Sequence, residues 1–311
     1  MRVIVVGLGI QGPKRVAVAG SDVVATVDSN PARSAVFRAL EDVPLDSYEA
    51  ALVCTPDEPK IALLTYLLSH GKHVLVEKPL LAADEADLLK LQDLARATGA
   101  VCYTAYNHRF EPHLARAKAI LDEGRIGQVY QARFFYGNGT ARDVRNSVWR
   151  DAGLGVIPDL ASHLLDLVLF LFGPPATLPE LWASECFENR ACDYFCVGFP
   201  ATRPMIRMEG TLLSWRNSFL MDLVGETGSL HVTSLCKWGP TALTVRDRKL
   251  PSGKPNEETH TLEQPDPTWR LEYEHFRGLC GQGNVTNLAN DIWINRALTH
   301  LAQRARVRLF A

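Results

Sequence analysis

Val3-Ile4-Val5-Val6-Gly7-Leu8-Gly9-Ile10-Gln11-Gly12 opens the chain, and Val23-Val24-Ala25-Thr26-Val27-Asp28 follows a short helical stretch. A β-branched run leads into G-x-G-x-x-G, and a second β-branched run ends on an acid. The spacing predicts strand, glycine-rich turn, helix and strand. Each glycine has its own reason. The first allows the tight turn, the second lets a pyrophosphate reach the backbone, and the third lets the helix pack on the strand. Free N–H groups at the helix start then face the phosphates. An acid at the end of the second strand is placed to accept hydrogen bonds from a ribose hydroxyl.

Working outward, the β-α alternation continues. Strands are predicted at 51–54, 73–76 and 101–105, with helices at 61–69 and 84–97. Asp84, with Asp87 three residues on, resembles a helix start, and Gly99 a helix stop. Continuous apolar strands alternating with helices imply a parallel sheet covered on both faces. Gly12 and Asp28 are only 16 residues apart, against roughly 20 in the usual fingerprint. The first helix must therefore be short. The stretch from Asp28 to Cys54 is also compact, so a third strand on the adenine side is expected to be missing or rudimentary.

From about Gly127 the pattern changes to alternating strands, at 128–136, 179–187, 205–215, 219–224, 229–232 and 242–245. Residues 225–228 read as a hairpin turn. One helix, 158–172, interrupts this antiparallel sheet. Residues 250–267 read as an exposed loop, and two helices, 269–279 and 287–304, finish the chain. The fold class is α/β plus α+β: a Rossmann doubly wound parallel sheet, then an open-faced, mostly antiparallel sheet.

Bulk properties exclude several functions. The chain has 311 residues and a net charge of −2, with 22% charged residues. That balance offers no electrostatic basis for nucleic acid or an anionic membrane. The seven cysteines include no C-x-x-C pair and no metal-ligand spacing, and read as reduced packing thiols. No metal site is expected. The most apolar later run, 164–172, is far below the roughly 20 residues needed to span a bilayer. A cytoplasmic location is expected.

Two features carry chemistry. Lys78 follows a strand in Glu77-Lys78-Pro79. Ligands of doubly wound sheets bind beyond the C-terminal strand ends, where a lysine can polarise a substrate oxygen. The other reading is a strand-end lysine in solvent. Asp159, His163 and Asp166 fall at i, i+4 and i+7 on the otherwise apolar helix 158–172. Such a stripe is costly to bury unless it faces a site. There His163 can shuttle a proton, oriented by Asp159 or Asp166. The other reading is an exposed stripe.

The turn Gly7 to Gly12, Thr55-Pro56, Gly71-Lys72-His73-Val74-Leu75-Val76-Glu77-Lys78-Pro79, Asn107-His108-Arg109-Phe110 and Asp159-x-x-x-His163-x-x-Asp166 together resemble the Gfo/Idh/MocA family, the glucose-fructose oxidoreductase and inositol dehydrogenase group. Trp215-Arg216-Asn217 and Gly225-Glu226-Thr227-Gly228-Ser229 are similar too. The resemblance spans nearly the whole chain. It implies a dinucleotide-binding Rossmann domain over 1–112, with a C-terminal helix at about 286–305 packing back on it. It also implies a substrate-binding and oligomerisation domain over 113–285. The implied reaction is hydride transfer between NAD(P) and a hydroxyl-bearing carbon of a sugar, polyol or nucleotide sugar. Lys78, His163 and Asp159 match the family's catalytic positions. Candidate cofactor contacts are Gly7, Gly9, Ile10, Gln11, Gly12, Asp28, Ser29, Arg33, Cys54, Thr55, Pro56, Glu77, Lys78 and Asn107. Candidate substrate contacts are Lys78, Arg109, Trp149, Arg150, Asp159 and His163. The Lys78–Pro79 bond is expected to be cis by resemblance.

NAD is preferred over NADP, because Asp28 repels a 2′-phosphate; Arg33 is the nearby residue that would tolerate one. The family usually has His where this chain has Lys60, so the role of Lys60 is open. Arg133, Arg142, Arg145 and Arg150 suggest an anionic group on the substrate, the other reading being a solvated basic loop. Lys237-Trp238-Gly239-Pro240 is a candidate second lip over the sugar, or a subunit contact. A homodimer or homotetramer is implied. Two alternative functions share these residues: an NAD-dependent glycosidase, which releases aglycone without net NADH, and a non-catalytic NAD-sensing regulator.

Overall fold

The computed structural model describes residues 1–151, 155–282 and 286–309, without the side chains of Trp149 and of residues 306–309. It divides into two compact units, Met1–Asn107 with Thr268–Asn295, and His108–Pro267 with the rest of the last helix.

In the first unit, β1 (Val3–Val6), β2 (Val23–Val27), β3 (Ala50–Val53), β4 (His73–Glu77) and β5 (Cys102–Ala105) form one sheet in the order β2-β1-β3-β4-β5. Every pairing is parallel. Alternate residues feed two cores, as the period of two requires. Val3, Val5, Leu52 and Leu75 pack with Tyr273, Phe276 and Leu279 of α8 (Thr268–Gln282) on one face. Ile4, Val6, Val53 and Val76 pack on the other with α2 (Asp57–Ser69), α3 (Glu85–Thr98) and the start of α9 (Leu288–Leu309). Helix α8 falls within the region that the sequence boundaries give to the second domain. Its apolar residues recur every third position and lie against the parallel sheet.

The first helix, α1 (Gly12–Ala19), has 8 residues and ends at Gly20, where φ is 54°. Residues 28–49 contain short 3₁₀ turns and no strand, only a single parallel bridge between Val27 and Phe37. The adenine-side third strand is missing, as the spacing predicts. Asp84 caps α3 by accepting from the Ala86 N–H, and Gly99 closes it in the left-handed region.

The second unit has an eight-stranded sheet. Its strands are β6 (Val129–Gly137), β7 (Glu180–Glu185), β8 (Tyr194–Phe199), β9 (Met205–Thr211), β10 (Ser218–Gly225), β11 (Gly228–Thr233), β12 (Thr241–Lys249) and β13 (Gly253–Leu262). The order is β13-β12-β11-β10-β6-β9-β8-β7. Only the β6–β9 pairing is parallel. The inner face carries Phe134, Tyr136, Phe219, Met221, Leu230 and Leu243, all buried. It packs with α4 (Pro112–Asp122) and α7 (Ser162–Phe172). Leu220, Val224 and Arg133 are exposed on the outer face.

Two expectations are corrected. Residues 253–262 are a strand, not part of a loop. This edge strand lies almost wholly in solvent, so no apolar alternation marks it. Its ladder to β12 and cross-strand pairs such as Arg246–Glu257 and Thr244–Thr259 hold it. The basic stretch after β6 contains two short helices, α5 (Ala141–Arg145) and α6 (Val148–Asp151). All seven cysteines are free thiols. Among the described residues, no helix is long and apolar enough to cross a membrane.

Candidate functional site

The glycine-rich turn joins β1 to α1, and each glycine meets a different environment. Gly7 has φ +91°, and a Cβ there would lie 2.9 Å from the Cys54 backbone. A Cβ on Gly12 would sit 2.0 Å from the Gly7 carbonyl oxygen. One on Gly9 would meet nothing within 4 Å. The first and third glycines are thus required by the protein's own packing, whereas the space at the second is left for something else. Buried Gln11 Oε1 and Thr55 Oγ1 lack hydrogen-bond partners within the protein. Unpartnered buried oxygens on the turn and at the end of β3, together with an unobstructed backbone at Gly9, suit a bound dinucleotide, so the residues present fit NAD.

Asp28 ends β2 and folds back on this turn. Its Oδ2 accepts from the Leu8 N–H at 2.6 Å and its Oδ1 from the Asn30 N–H at 2.8 Å. The carboxylate therefore shapes the turn. Ser29 and Arg33 are exposed. Arg38 donates to the carbonyls of Asp28, Asn30 and Arg33, at 3.2, 3.0 and 3.0 Å. Ile10 is exposed, Cys54 half-buried. Burial pushes the Cys54 thiol well above its usual range, aided by the charge of Glu77. Pro56 precedes α2, and Asn107 donates to Thr268 Oγ1 at 2.8 Å.

Lys78 lies just past β4, before a cis Pro79. Its neighbour Glu77 is held by Arg15, whose Nε donates to Oε1 at 2.7 Å. Arg15 also donates to Glu272 Oε2 at 2.7 Å and stacks 4.2 Å from the Trp269 ring. Burial opposes the charge on Arg15, but Glu272 and Glu77 outweigh it and hold the guanidinium protonated. Glu77 thus carries an internal ion pair. Lys60, where a histidine is usual, is buried and bonds Asp57 Oδ1 at 2.7 Å and the Pro79 carbonyl at 2.9 Å. It ties α2 to the residue after Lys78.

In the second unit, a π-helical turn (Ile157–Ala161) carries Asp159 and runs directly into α7, which carries His163. The expected stripe divides here. Asp166 does not orient His163. It is buried and takes a bidentate pair from Arg109, at 2.6 and 2.8 Å. Burial pushes the Asp166 carboxyl up, and Arg109 pulls it back only in part. Arg109 is correspondingly committed to α7 rather than to a substrate. A buried carboxylate needs such a fork, and i+7 spacing cannot show which helical acid has one.

His163 is 8% exposed and stacks on His108, with centroids 4.1 Å apart and planes 18° apart. Tyr136 lies 5.9 Å from His163, and Trp238 lies 5.6 Å from Tyr136. Burial and the charge of Asp159 raise the Tyr136 phenol far above its usual range. Lys237 Nζ donates to Tyr136 Oη at 2.9 Å and sits 3.5 Å from His108 Nε2. Sequence reasoning left Tyr136 unmarked. It is one alternating position in a strand, and only its pairing opposite Phe219 places it at His163. His108 lies within a motif the sequence does show. Arg133 projects from the opposite sheet face, and Arg145 pairs with Glu188. Arg150 is half-buried on α6; the side chain of Trp149 lies outside the described residues. No cluster of three or more metal-ligating side chains occurs among the described residues.

Comparisons with known proteins agree with this architecture. Residues 1–106 match the model of the oxidoreductase family, NAD-binding Rossmann fold, and residues 114–231 match the GFO/IDH/MocA C-terminal domain. An uncharacterized oxidoreductase of Schizosaccharomyces pombe is 30% identical over 183 residues, 53% of this chain and 49% of that protein. The chain thus spans about half the length of that relative. Inositol 2-dehydrogenase 2 of Saccharopolyspora erythraea is 27% identical over 297 residues, 82% of this chain and 78% of that one. The solved structure of levoglucosan dehydrogenase in complex with NADH has a TM-score of 0.81 at 19% identity, covering 98% of this chain and 97% of that one.

Proposed function

Because the chain belongs to the Gfo/Idh/MocA oxidoreductase family, we propose that it is an NAD-dependent dehydrogenase acting on a hydroxyl-bearing carbon of a sugar, polyol or nucleotide sugar. The observation that carries this is the division of labour among the glycines. Gly7 and Gly12 are closed by the protein itself, while Gly9 faces open space and the buried Gln11 Oε1 and Thr55 Oγ1 have no partner within the protein. When bound, NAD supplies the two-electron acceptor for the hydride.

The chain's own residues supply the rest. His163, stacked on His108, takes the proton of the reacting hydroxyl. Asp159, on the π turn before it, stabilises the imidazolium that forms. Lys78, beyond the end of β4, stabilises the developing oxyanion with its charge. The reverse reduction uses the same groups. Asp28 supports NAD over NADP, because its carboxylate is fixed by two N–H donors at the ribose position. The exposed Leu220 and Val224 support a homo-oligomer in which the outer sheet face meets a second copy.

A screen of sugars, polyols and sugar nucleotides for a change in NADH fluorescence tests the reading. Turnover of at least one class is expected. His163→Ala should lower kcat about a hundred- to ten-thousandfold and leave NADH affinity unchanged. Equal turnover in the variant removes His163 from the mechanism, and a wild type inert toward every class removes the dehydrogenase.

A further inference from the structure

Of the arginines that the sequence suggests for an anionic substrate, Arg133 projects from the outer sheet face, Arg145 pairs with Glu188, Arg142 is exposed and Arg150 is half-buried on α6. A different cation sits beside His108 and Tyr136, the two rings that flank His163. Lys237 is exposed at the start of a turn, yet its ammonium is pinned. It donates to Tyr136 Oη at 2.9 Å and lies 4.6 Å over the Trp238 ring and 5.4 Å over the Tyr136 ring. Those rings hold a cation by their negative faces.

The turn itself is fixed from behind. Glu111 accepts from the Cys236 N–H with both oxygens at 3.2 Å. Burial raises the Glu111 carboxyl, against an opposing pull from Cys236 and Lys237. Because Lys237 donates to the Tyr136 oxygen, the phenol keeps its own proton to donate onward. The same wall, His163 against His108 and Tyr136, carries the proposed base. A rigid aromatic platform with one oriented ammonium and one phenol donor presents apolar faces to sugar C–H groups and a positive charge at their edge.

We propose that Lys237, held by Tyr136 and Trp238, is a specificity-determining substrate contact, and that it selects polyhydroxylated substrates carrying a carboxylate. This rests on the dehydrogenase reading above. The ammonium takes the carboxylate while the reacting hydroxyl lies toward His163.

The test compares wild type, Lys237→Met and Lys237→Arg with a panel of uronates and aldonates, each against its neutral parent sugar. Wild type should favour the acids. Lys237→Met should raise KM for the acids about tenfold, the size of one charge-assisted hydrogen bond, with kcat within about twofold. For neutral sugars, which meet the loosened Tyr136 phenol but offer no carboxylate, the rise in KM should be several-fold smaller than for the acids, and Lys237→Arg should keep the preference for acids. Lys237→Met weakening both classes alike, or neither, overturns the proposal. If wild type turns over no member of the panel, the dehydrogenase reading is what fails. Calorimetric binding of the same acids and neutral sugars to the three proteins then decides the proposal separately: acid-selective binding lost in Lys237→Met upholds it, and its absence overturns it.

Discussion

The glycine-rich turn and the wall around His163 are built from opposite materials. The turn uses main chain. Its N–H groups and the absence of side chains at Gly7, Gly9 and Gly12 make the surface, and one carboxylate, Asp28, trims it. The wall uses side chains from four separated stretches: His108, Tyr136, His163 and Trp238. A surface of main chain fails by steric intrusion, because an atom added at Gly7 or Gly12 meets backbone that cannot move. A surface of side chains fails by losing a partner that leaves a charge or ring unsupported.

The largest effect should come from breaking the turn. Gly12→Val places atoms where the Gly7 carbonyl already stands, 2.0 Å from a Cβ. It should weaken NADH binding more than about a hundredfold, beyond the roughly 3 kcal/mol of ordinary overpacking. Gly9→Ala, with open space around it, should leave the thermal midpoint unchanged and still weaken NADH. Fluorescence titration and circular dichroism on both variants separate packing from ligand contact. Equal midpoints and equal affinities in the two would erase the distinction.

Support of the wall is tested next. Arg109→Met strands the carboxylate of Asp166, whose side chain is 1% exposed. Breaking such a pair costs about 3–5 kcal/mol, whereas replacing both partners with apolar groups is often neutral. Urea unfolding should show the loss in Arg109→Met and recovery in Arg109→Met/Asp166→Leu. Failure of the double variant to recover would mean that the pair does more than satisfy its own burial.

The smallest effect lies at His73, where a side chain serves the main chain. His73 Nδ1 accepts from the Val101 N–H at 2.9 Å. Burial lowers the pKa of this ring below the usual 6.5, against an opposing pull from Glu49. The unfolded chain therefore binds the proton more readily than the native one. Stability from this group is complete above about pH 6.5 and falls as pH drops through that value toward the lower native one. The loss should be about 1 kcal/mol or less by urea midpoint at pH 5.5 against 7.5. His73→Gln should flatten that slope, and an unchanged slope would assign it to other groups.

The same contrast explains what the sequence made legible. The parallel sheet, the short first helix, the missing third strand and the hairpin at 225–228 all follow from local periodicity and turn chemistry. Their causes lie within a few residues. The edge strand β13 escaped because solvent bathes nearly all of it, so nothing in its composition alternates. The partner of Asp166 escaped because Arg109 lies 57 residues away. Tyr136 is brought to His163 by sheet register and Lys237 to Tyr136 by the turn between β11 and β12, and no spacing along the chain encodes either. Lys60 shows the converse. The position stands out in the sequence, but its role as a tie between α2 and Pro79 requires the fold.

The missing strand has one more consequence. It makes β2 the rim of the first sheet, and a rim strand with unpaired N–H and C=O groups is a template for another chain. Residues 28–39 blunt it without becoming a strand. Phe37 donates to the Thr26 carbonyl and accepts from the Asp28 N–H, while the Val36 N–H caps the Thr26 hydroxyl. Arg38 then gathers three carbonyls of the same segment. The loop that follows Asp28 is therefore also the guard that keeps the sheet from growing by intermolecular pairing.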